Sequence, residues 1–383
     1  MTVTAIHGSC DPRFEKVRDA FAANFAAGKE VGASFAAAIE GELVVDLWAG
    51  SADAARTRPW ERDTLVNVFS TTKAMTALAA HVLADRGLLD LDAPVASYWP
   101  EFAANGKGAI PVHYLLSHRA GLAALRSPLP TEALWDWRRM TDALAAEAPW
   151  WEPGTKNGYH AITYGHLVGE VVRRVAGRTL GAFFREEIAR PLGADFHIGL
   201  PAAEHARAAD MVAPTAAENE TAGEAARVDP ESLLGKTLSN PPVTPTVANR
   251  PEWRAAEIPA ANGHGNARSV AQVMAVLACG GTLGGRRHLG ADSIARATTE
   301  QCHDTDLVLG IPLRWGMGFM LSSDLLPLSP DRSAFGHGGW GGSLGVAVPT
   351  ARLSWSYVMN KMSPGTLGDT RALGLVGALY GAL

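Results

Sequence analysis

Ser70 and Lys73 stand three residues apart in Val66-Asn67-Val68-Phe69-Ser70-Thr71-Thr72-Lys73-Ala74-Met75, a spacing that puts both side chains on one helical face. The apolar run before Ser70 reads as an extended segment, and Ala74 to Leu83 are strong helix formers that end near Gly87. The serine hydroxyl is therefore expected at a helix N-terminus, where outward backbone N–H groups favour developing negative charge. Serine is a weak nucleophile until a base takes its proton, and a desolvated lysine beside it can lose its own charge and become that base. Alone, Ser-x-x-Lys is a common accident, equally readable as a capping serine followed by an exposed lysine.

Two further segments supply what such a pair needs. Glu152-Pro153-Gly154-Thr155-Lys156-Asn157-Gly158-Tyr159-His160-Ala161 is a turn-rich loop that presents Tyr159 just before a helix. Phe335-Gly336-His337-Gly338-Gly339-Trp340-Gly341-Gly342 is a glycine-dense strand entry that lets a ligand come close to the backbone. In this order the three segments resemble the S-x-x-K, Y-x-N and K-T-G (or H-x-G) motifs of the serine β-lactamase and penicillin-binding-protein superfamily. The resemblance is closest to its class C branch, and within that to the family VIII carboxylesterases. Ile110 to Leu122 and Pro191-Leu192-Gly193 extend it to most of the chain.

The resemblance implies an α/β (α+β) fold, with an antiparallel sheet flanked by terminal helices, an inserted helical domain and the site in the cleft between them. It implies that Ser70 forms an acyl-enzyme and that Lys73 and Tyr159 share the proton, leaving open which is the initial base. The backbone N–H groups of Ser70 and Trp340 would hold the oxyanion, with His337, Gly338 and Gly339 on the substrate side. Two departures bear on the substrate. Ala161 stands where lactamases keep the Asn of Y-x-N, and His337-Gly338-Gly339 replaces K-T-G, so that a largely neutral imidazole takes the place of a cation. Both changes remove polar handles for a β-lactam. Hydrolysis of short-chain carboxylic esters therefore comes first, with weak promiscuous lactam cleavage beside it. The alternatives are a β-lactamase, a D-amino-acid peptidase or amide hydrolase, an acyltransferase, or a covalent binding protein without turnover. The short acyl chain comes from the family alone.

These residues need regular elements to position them. Asp11-Pro12 starts a helix on which Phe14, Val17, Phe21 and Phe25 share a face. Ala33 to Ile39 and Glu42 to Trp48 form a hairpin about Glu40-Gly41 that feeds toward Ser70. Tyr164, Leu167, Val168, Val171, Val172 and Val175 line one face of a helix that stops at Gly177. Prolines 241, 242, 245 and 251 make Ser239 to Trp253 an irregular loop. Strands return at Trp315 to Leu321, Leu344 to Val348 and Leu353 to Met359, and Asp369 to Tyr380 closes the chain as a helix. This assigns residues 1–69 and 310–383 to a discontinuous α/β domain and 70–309 to the inserted, mostly helical one.

Rival sites carry less. Gly341-Gly342-Ser343-Leu344-Gly345 matches the G-x-S-x-G nucleophile elbow, but an elbow needs a helix after its serine and here a strand follows, so Ser343 is expected to be structural. His118 is expected to order its loop, His81 to be an ordinary helix residue and Tyr164 to be core; His264 either lines the cleft or caps a turn. At 383 residues with a net charge of −5, the chain offers no basis for nucleic-acid or anionic-membrane binding. Cys10, Cys279 and Cys302 have neither disulfide nor zinc spacing, and no H-E-x-x-H exists, so no metal or cofactor is expected. The N-terminus lacks a signal-peptide pattern, giving a cytoplasmic reading. A small-molecule ester is the expected partner; oligomeric state is not legible.

Overall fold

Glu40 and Gly41 both have positive φ, 53° and 87°, the turn geometry that matches the twist of a two-residue β-hairpin. They join β2 (Gly32–Ile39) to β3 (Glu42–Gly50), and β1 (Ile6–Cys10) pairs antiparallel with β3 at the sheet edge. The computed structural model describes residues 4–221, 229–364 and 369–383; residues 1–3, part of the stretch inspected above for a signal peptide, lie outside them. β4 (Val66–Asn67), β5 (Phe196–Ile198) and β6 (Gly263–Gly265) form a small sheet, and β7 (Thr282–Leu283) pairs with β8 (Arg286–Arg287). β9 (Cys302–Thr305), β10 (Pro312–Trp315), β11 (Met320–Leu321), β12 (Phe335–Gly338), β13 (Leu344–Val348) and β14 (Leu353–Met359) complete the main sheet. Its nine strands run antiparallel in the order β1-β3-β2-β14-β13-β12-β11-β10-β9.

The central pairing of β2 with β14 brings the two ends of the chain together, Phe35 opposite Tyr357 and Ala37 opposite Trp355. In β14 Leu353, Trp355, Tyr357 and Met359 alternate with Ser354, Ser356 and Val358, a pattern that does not mark core against solvent, because all seven residues are buried. Ser354 donates to the Ala271 carbonyl (2.8 Å) and Ser356 to the Leu344 carbonyl (2.8 Å), which makes the hydroxyls compatible with an interior sheet face. Helix Ala267–Ala278 covers that side, with Val270 and Met274 against Gly345. α1 (Glu15–Ala26) packs against the helix Thr370–Tyr380, which Asp369 caps by accepting from the Arg371 N–H.

Several expected elements differ in detail. The stretch Trp315 to Leu321 is two short strands around a turn rather than one, since Gly316 and Gly318 let the chain double back. The proline-rich segment is not irregular throughout: Pro245 and Pro251 each open a short helical turn, where a missing N–H costs nothing. β1 and β9 were not anticipated, and both are edge strands with weak apolar patterning. The helix Thr163–Ala176 ends as expected, with Gly177 left-handed at φ 67°. Among the described residues no helix is long and apolar enough to cross a membrane.

Candidate active site

β4 delivers the chain to Ser70, and α2 (Thr72–Asp85) carries it away. Between them Phe69 adopts φ 40°, a left-handed conformation that costs a non-glycine residue about 1–3 kcal/mol unless its surroundings impose it. The ring is held at 5.3 Å from that of Trp340 and 6.4 Å from that of Trp253. Thr72 Oγ1 donates to the Phe69 carbonyl (2.6 Å) and accepts from the Gly263 N–H (2.8 Å), stitching the turn to β6. The result is a sharp strand-to-helix bend with a partly exposed Ser70 at its apex.

Lys73 lies in the first turn of α2, fully buried. Its Nζ is 3.0 Å from Ser70 Oγ, 2.7 Å from the Ala161 carbonyl and 3.0 Å from the Ala260 carbonyl. Burial alone holds its pKa well below that of an ordinary lysine. A neutral amine has two N–H donors and one lone pair. In the geometry shown Nζ donates to all three oxygens; once neutral it would keep both carbonyls and turn its lone pair to the Ser70 O–H.

Tyr159 lies beside the same pair, its ring 4.8 Å from Lys73 Nζ and its hydroxyl near enough to Ser70 for the serine to influence its ionisation. Burial raises its pKa above the ordinary tyrosine range, the hydrogen bond from Ser70 opposes that shift and the Asp306 charge adds to it, so the phenol stays protonated. Its loop is pinned by three successive amides. Gly158 N–H donates to the His118 carbonyl (3.0 Å), Tyr159 N–H to Asp306 Oδ1 (2.9 Å) and His160 N–H to His118 Nδ1 (3.1 Å). His118 thus orders its loop as expected.

His337 projects from β12, its ring 6.2 Å from that of Tyr159 and 5.6 Å from that of Trp315. Burial, then the nearby Lys73, push its pKa down to about 3, so it is neutral at physiological pH. Nδ1 faces the Gly338 carbonyl at 2.7 Å, which assigns it the proton and leaves Nε2 a buried acceptor without a partner.

The segment after β12 closes on the serine. A Cβ built on Gly339 would lie 2.1 Å from the Val68 carbonyl oxygen and 3.2 Å from Ser70 N, so only glycine permits this approach. No hydrogen bond of ordinary geometry within the described residues uses the backbone N–H of Ser70 or of Trp340. Two neighbouring free amides beside a serine hydroxyl are what a developing oxyanion requires. Gly339→Ala is expected to push this segment away and lower kcat for ester hydrolysis by about 10²–10³-fold, the range for losing one such donor, measured beside a melting curve that shows the fold retained.

The rival serine, Ser343, is differently engaged. It is buried, donating to the Val68 carbonyl (2.7 Å) and sharing a hydrogen bond with Thr71 Oγ1 (3.0 Å), which latches the glycine segment to the bend before α2. The same segment is held from behind. The Gly341 carbonyl accepts from Arg371 Nη2 (3.0 Å), Ser363 N–H (2.9 Å) and Ser363 Oγ (3.1 Å). Arg371 is itself buried with Glu30 and Asp369. His264 lies in β6 with Nδ1 on the Asn262 carbonyl, and His81 bonds the Met317 carbonyl from α2. Tyr164 is core, although its hydroxyl is buried without a partner. A cavity of about 620 Å³ lined by Trp137, Glu170 and Glu257 includes none of these site residues.

Residues 17–378 match the profile of the Beta-lactamase family. The chain belongs to the Beta-lactamase family. It is 37% identical to the "Esterase/beta-lactamase LipL" of Mycobacterium tuberculosis (strain ATCC 25618 / H37Rv) over 95% of this chain and 85% of that protein. Among solved structures, a family VIII carboxylesterase is similar at 50% identity and a TM-score of 0.93, covering 99% of this chain and 100% of that one. A penicillin-binding protein homologue from Caulobacter crescentus is similar at 44% identity and a TM-score of 0.91, with 99% and 100% covered. The expected superfamily and the mixed fold of antiparallel sheet and helices are thereby established for this member of the Beta-lactamase family.

Asp306, Arg371 and the Ala161 and Ala260 carbonyls escaped the sequence reading. Backbone carbonyls leave no residue-type signal, and Asp306 sits in Cys302-His303-Asp304-Thr305-Asp306, where nothing separates it from a solvated aspartate.

Proposed function

We propose that the protein is a serine carboxylesterase that hydrolyses short-chain carboxylic esters through an acyl-enzyme on Ser70. The observation that carries this reading is Lys73, buried without a carboxylate partner among the described residues and held by two carbonyls with Ser70 as its third neighbour. In this scheme Lys73 Nζ takes the Ser70 proton as Oγ attacks the ester carbonyl, and the N–H groups of Ser70 and Trp340 receive the oxyanion. The protonated phenol of Tyr159 donates to the departing alkoxide and regains a proton from Lys73. Water then enters, gives a proton to the same pair and adds to the acyl carbon; the C–Oγ bond breaks as the pair returns that proton to Ser70 Oγ, and the acid is released.

The cleft favours uncharged esters. Neither Lys73 nor His337 supplies a cation for a substrate carboxylate, and Ala161 lacks the amide of the lactamase motif. The names of the similar proteins support esterase activity, and LipL's double name supports weak β-lactam cleavage as a second reading. The division of the chain belongs to the same proposal: residues 1–69 and 310–383 form the α/β part and 70–309 the inserted part, from which β9 and the helix Ala267–Ala278 return to the sheet.

Rates on p-nitrophenyl butyrate and on a chromogenic cephalosporin test this. Two lost contacts to a charged or polar group, at about 1.5–3 kcal/mol and about 1 kcal/mol, put the ester ahead by roughly 10²–10³-fold in kcat/KM. A faster cephalosporin rate would reverse the assignment, and a stoichiometric burst without turnover would make the protein a covalent binder.

A further inference from the structure

We infer that Asp306 is a positioning residue for Tyr159: its buried carboxylate, reaching across from the loop after β9, sets where the phenol meets Ser70. The inference rests on the reading of Tyr159 as the proton-transfer partner of Ser70.

Asp306 is fully buried, and burying a carboxylate is expensive unless its lone pairs are occupied. Four N–H donors occupy them. Oδ1 accepts from Tyr159 N–H (2.9 Å), Val308 N–H (2.9 Å) and Leu309 N–H (3.0 Å), and Oδ2 accepts from the Asn157 side-chain amide (2.9 Å). Val308 and Leu309 shape the aspartate's own loop. The other two donors belong to the catalytic-loop segment, and the Leu307 N–H returns a bond to the Asn157 carbonyl (3.0 Å). Of the three successive amides that pin this segment, His118 holds the outer two and Asp306 the middle one, which belongs to the residue bearing the phenol.

A carboxylate suits this role better than a neutral acceptor. It offers acceptor positions on two oxygens without a donor of its own, so one side chain can hold both Asn157 and Tyr159 N–H. Its charge also adds to the burial that keeps the phenol protonated. The fit is tight because the hydroxyl must face Ser70 while the ring stays against Trp315, 5.9 Å away and nearly parallel.

The test is a double-mutant cycle on p-nitrophenyl butyrate, with melting temperature followed throughout. Asp306→Ala is expected to lower kcat about 10²-fold with little change in KM, the cost of displacing a catalytic group by about 1 Å. In the Tyr159→Phe background the same change is expected to cost less than about 2-fold, since a positioning residue has nothing left to position. Asp306→Asn is expected to restore kcat to within about 5-fold of wild type, because its oxygen can still accept from Tyr159 N–H. Its amide can meet Asn157 Oδ1, which is buried and unpartnered and needs only a turn of the Asn157 amide. If Asp306→Ala does not fold, Asp306→Glu takes its place in the cycle, keeping the charge while moving the carboxylate by one methylene.

Equal losses in the two backgrounds, or a wild-type kcat for Asp306→Ala or Asp306→Glu, would overturn the inference and show a purely structural aspartate. Near wild-type activity for Tyr159→Phe alone would instead remove the Tyr159 reading. The two failures are therefore distinguishable.

Discussion

Ser70→Ala is expected to abolish ester turnover, lowering kcat by roughly 10⁴–10⁶-fold, the scale on which nucleophile removal acts in serine hydrolases, while Ser343→Ala keeps kcat within about 10-fold of wild type. The two serines differ in what their hydroxyls face. Ser70 Oγ is partly exposed beside the Lys73 amine and a phenol, whereas Ser343 Oγ is buried and committed to the Val68 carbonyl. Removing the Ser343 hydroxyl leaves that carbonyl short of a donor and loosens the latch, so its main cost is about 1–3 kcal/mol of stability. Steady-state rates with p-nitrophenyl butyrate and denaturant unfolding of both variants separate these effects. Mass spectrometry after a phosphonate ester probe should find one adduct, on the peptide containing Ser70. An adduct on Ser343, or a dead Ser343→Ala that melts like wild type, would reverse the assignment.

Lys73→Met should lower kcat by about 10²–10⁴-fold, the usual contribution of a positioned general base, and should also change how stability depends on pH. The sign follows from linkage. In the folded chain Lys73 has its pKa depressed by burial, whereas in the unfolded chain it has the ordinary value of 10.5. Between the lowered folded pKa and 10.5 the unfolded state therefore holds one more proton, and wild-type stability rises with pH through that window. Methionine removes the titrating group, so wild type gains on Lys73→Met by about 1.4 kcal/mol per pH unit across that range. Urea unfolding of both proteins at pH 8, 9 and 10 measures the slope. A difference that does not change with pH would mean a charged Lys73 in the folded state, and the base would have to be sought elsewhere.

How much of this was legible depended on whether function left its mark in residue type or only in geometry. Ser70, Lys73, Tyr159 and His337 are residue types with chemistry, spaced and ordered in a recognisable way, and the structure brings all four together. The hairpin at Glu40-Gly41 and the helix stop at Gly177 were legible because left-handed turns and caps favour glycine. The state of Lys73 was not, since it depends on carbonyls from residues 161 and 260, and every residue has a carbonyl. Asp306 was hidden for a related reason: an aspartate becomes informative only when its burial is known. β14 gave a period-2 pattern whose meaning changed in the fold, because two buried faces can alternate as cleanly as one buried and one wet.

The Arg371 contact with the Gly341 carbonyl makes the support of the glycine segment depend on a residue synthesised long after Ser70. Arg371 Nη1 also bonds Glu30, 341 positions earlier in the chain, and Asp369 fills the space beside Gly342. Ser70, Lys73 and Tyr159 emerge from a ribosome long before Arg371 does. Until the helix Thr370–Tyr380 has been made and has docked, the segment bearing the Trp340 N–H lacks its rear support and β2 lacks its partner β14. A nascent chain would therefore carry its nucleophile without a complete oxyanion site until the helix Thr370–Tyr380 locks onto Glu30, made 341 positions before Arg371.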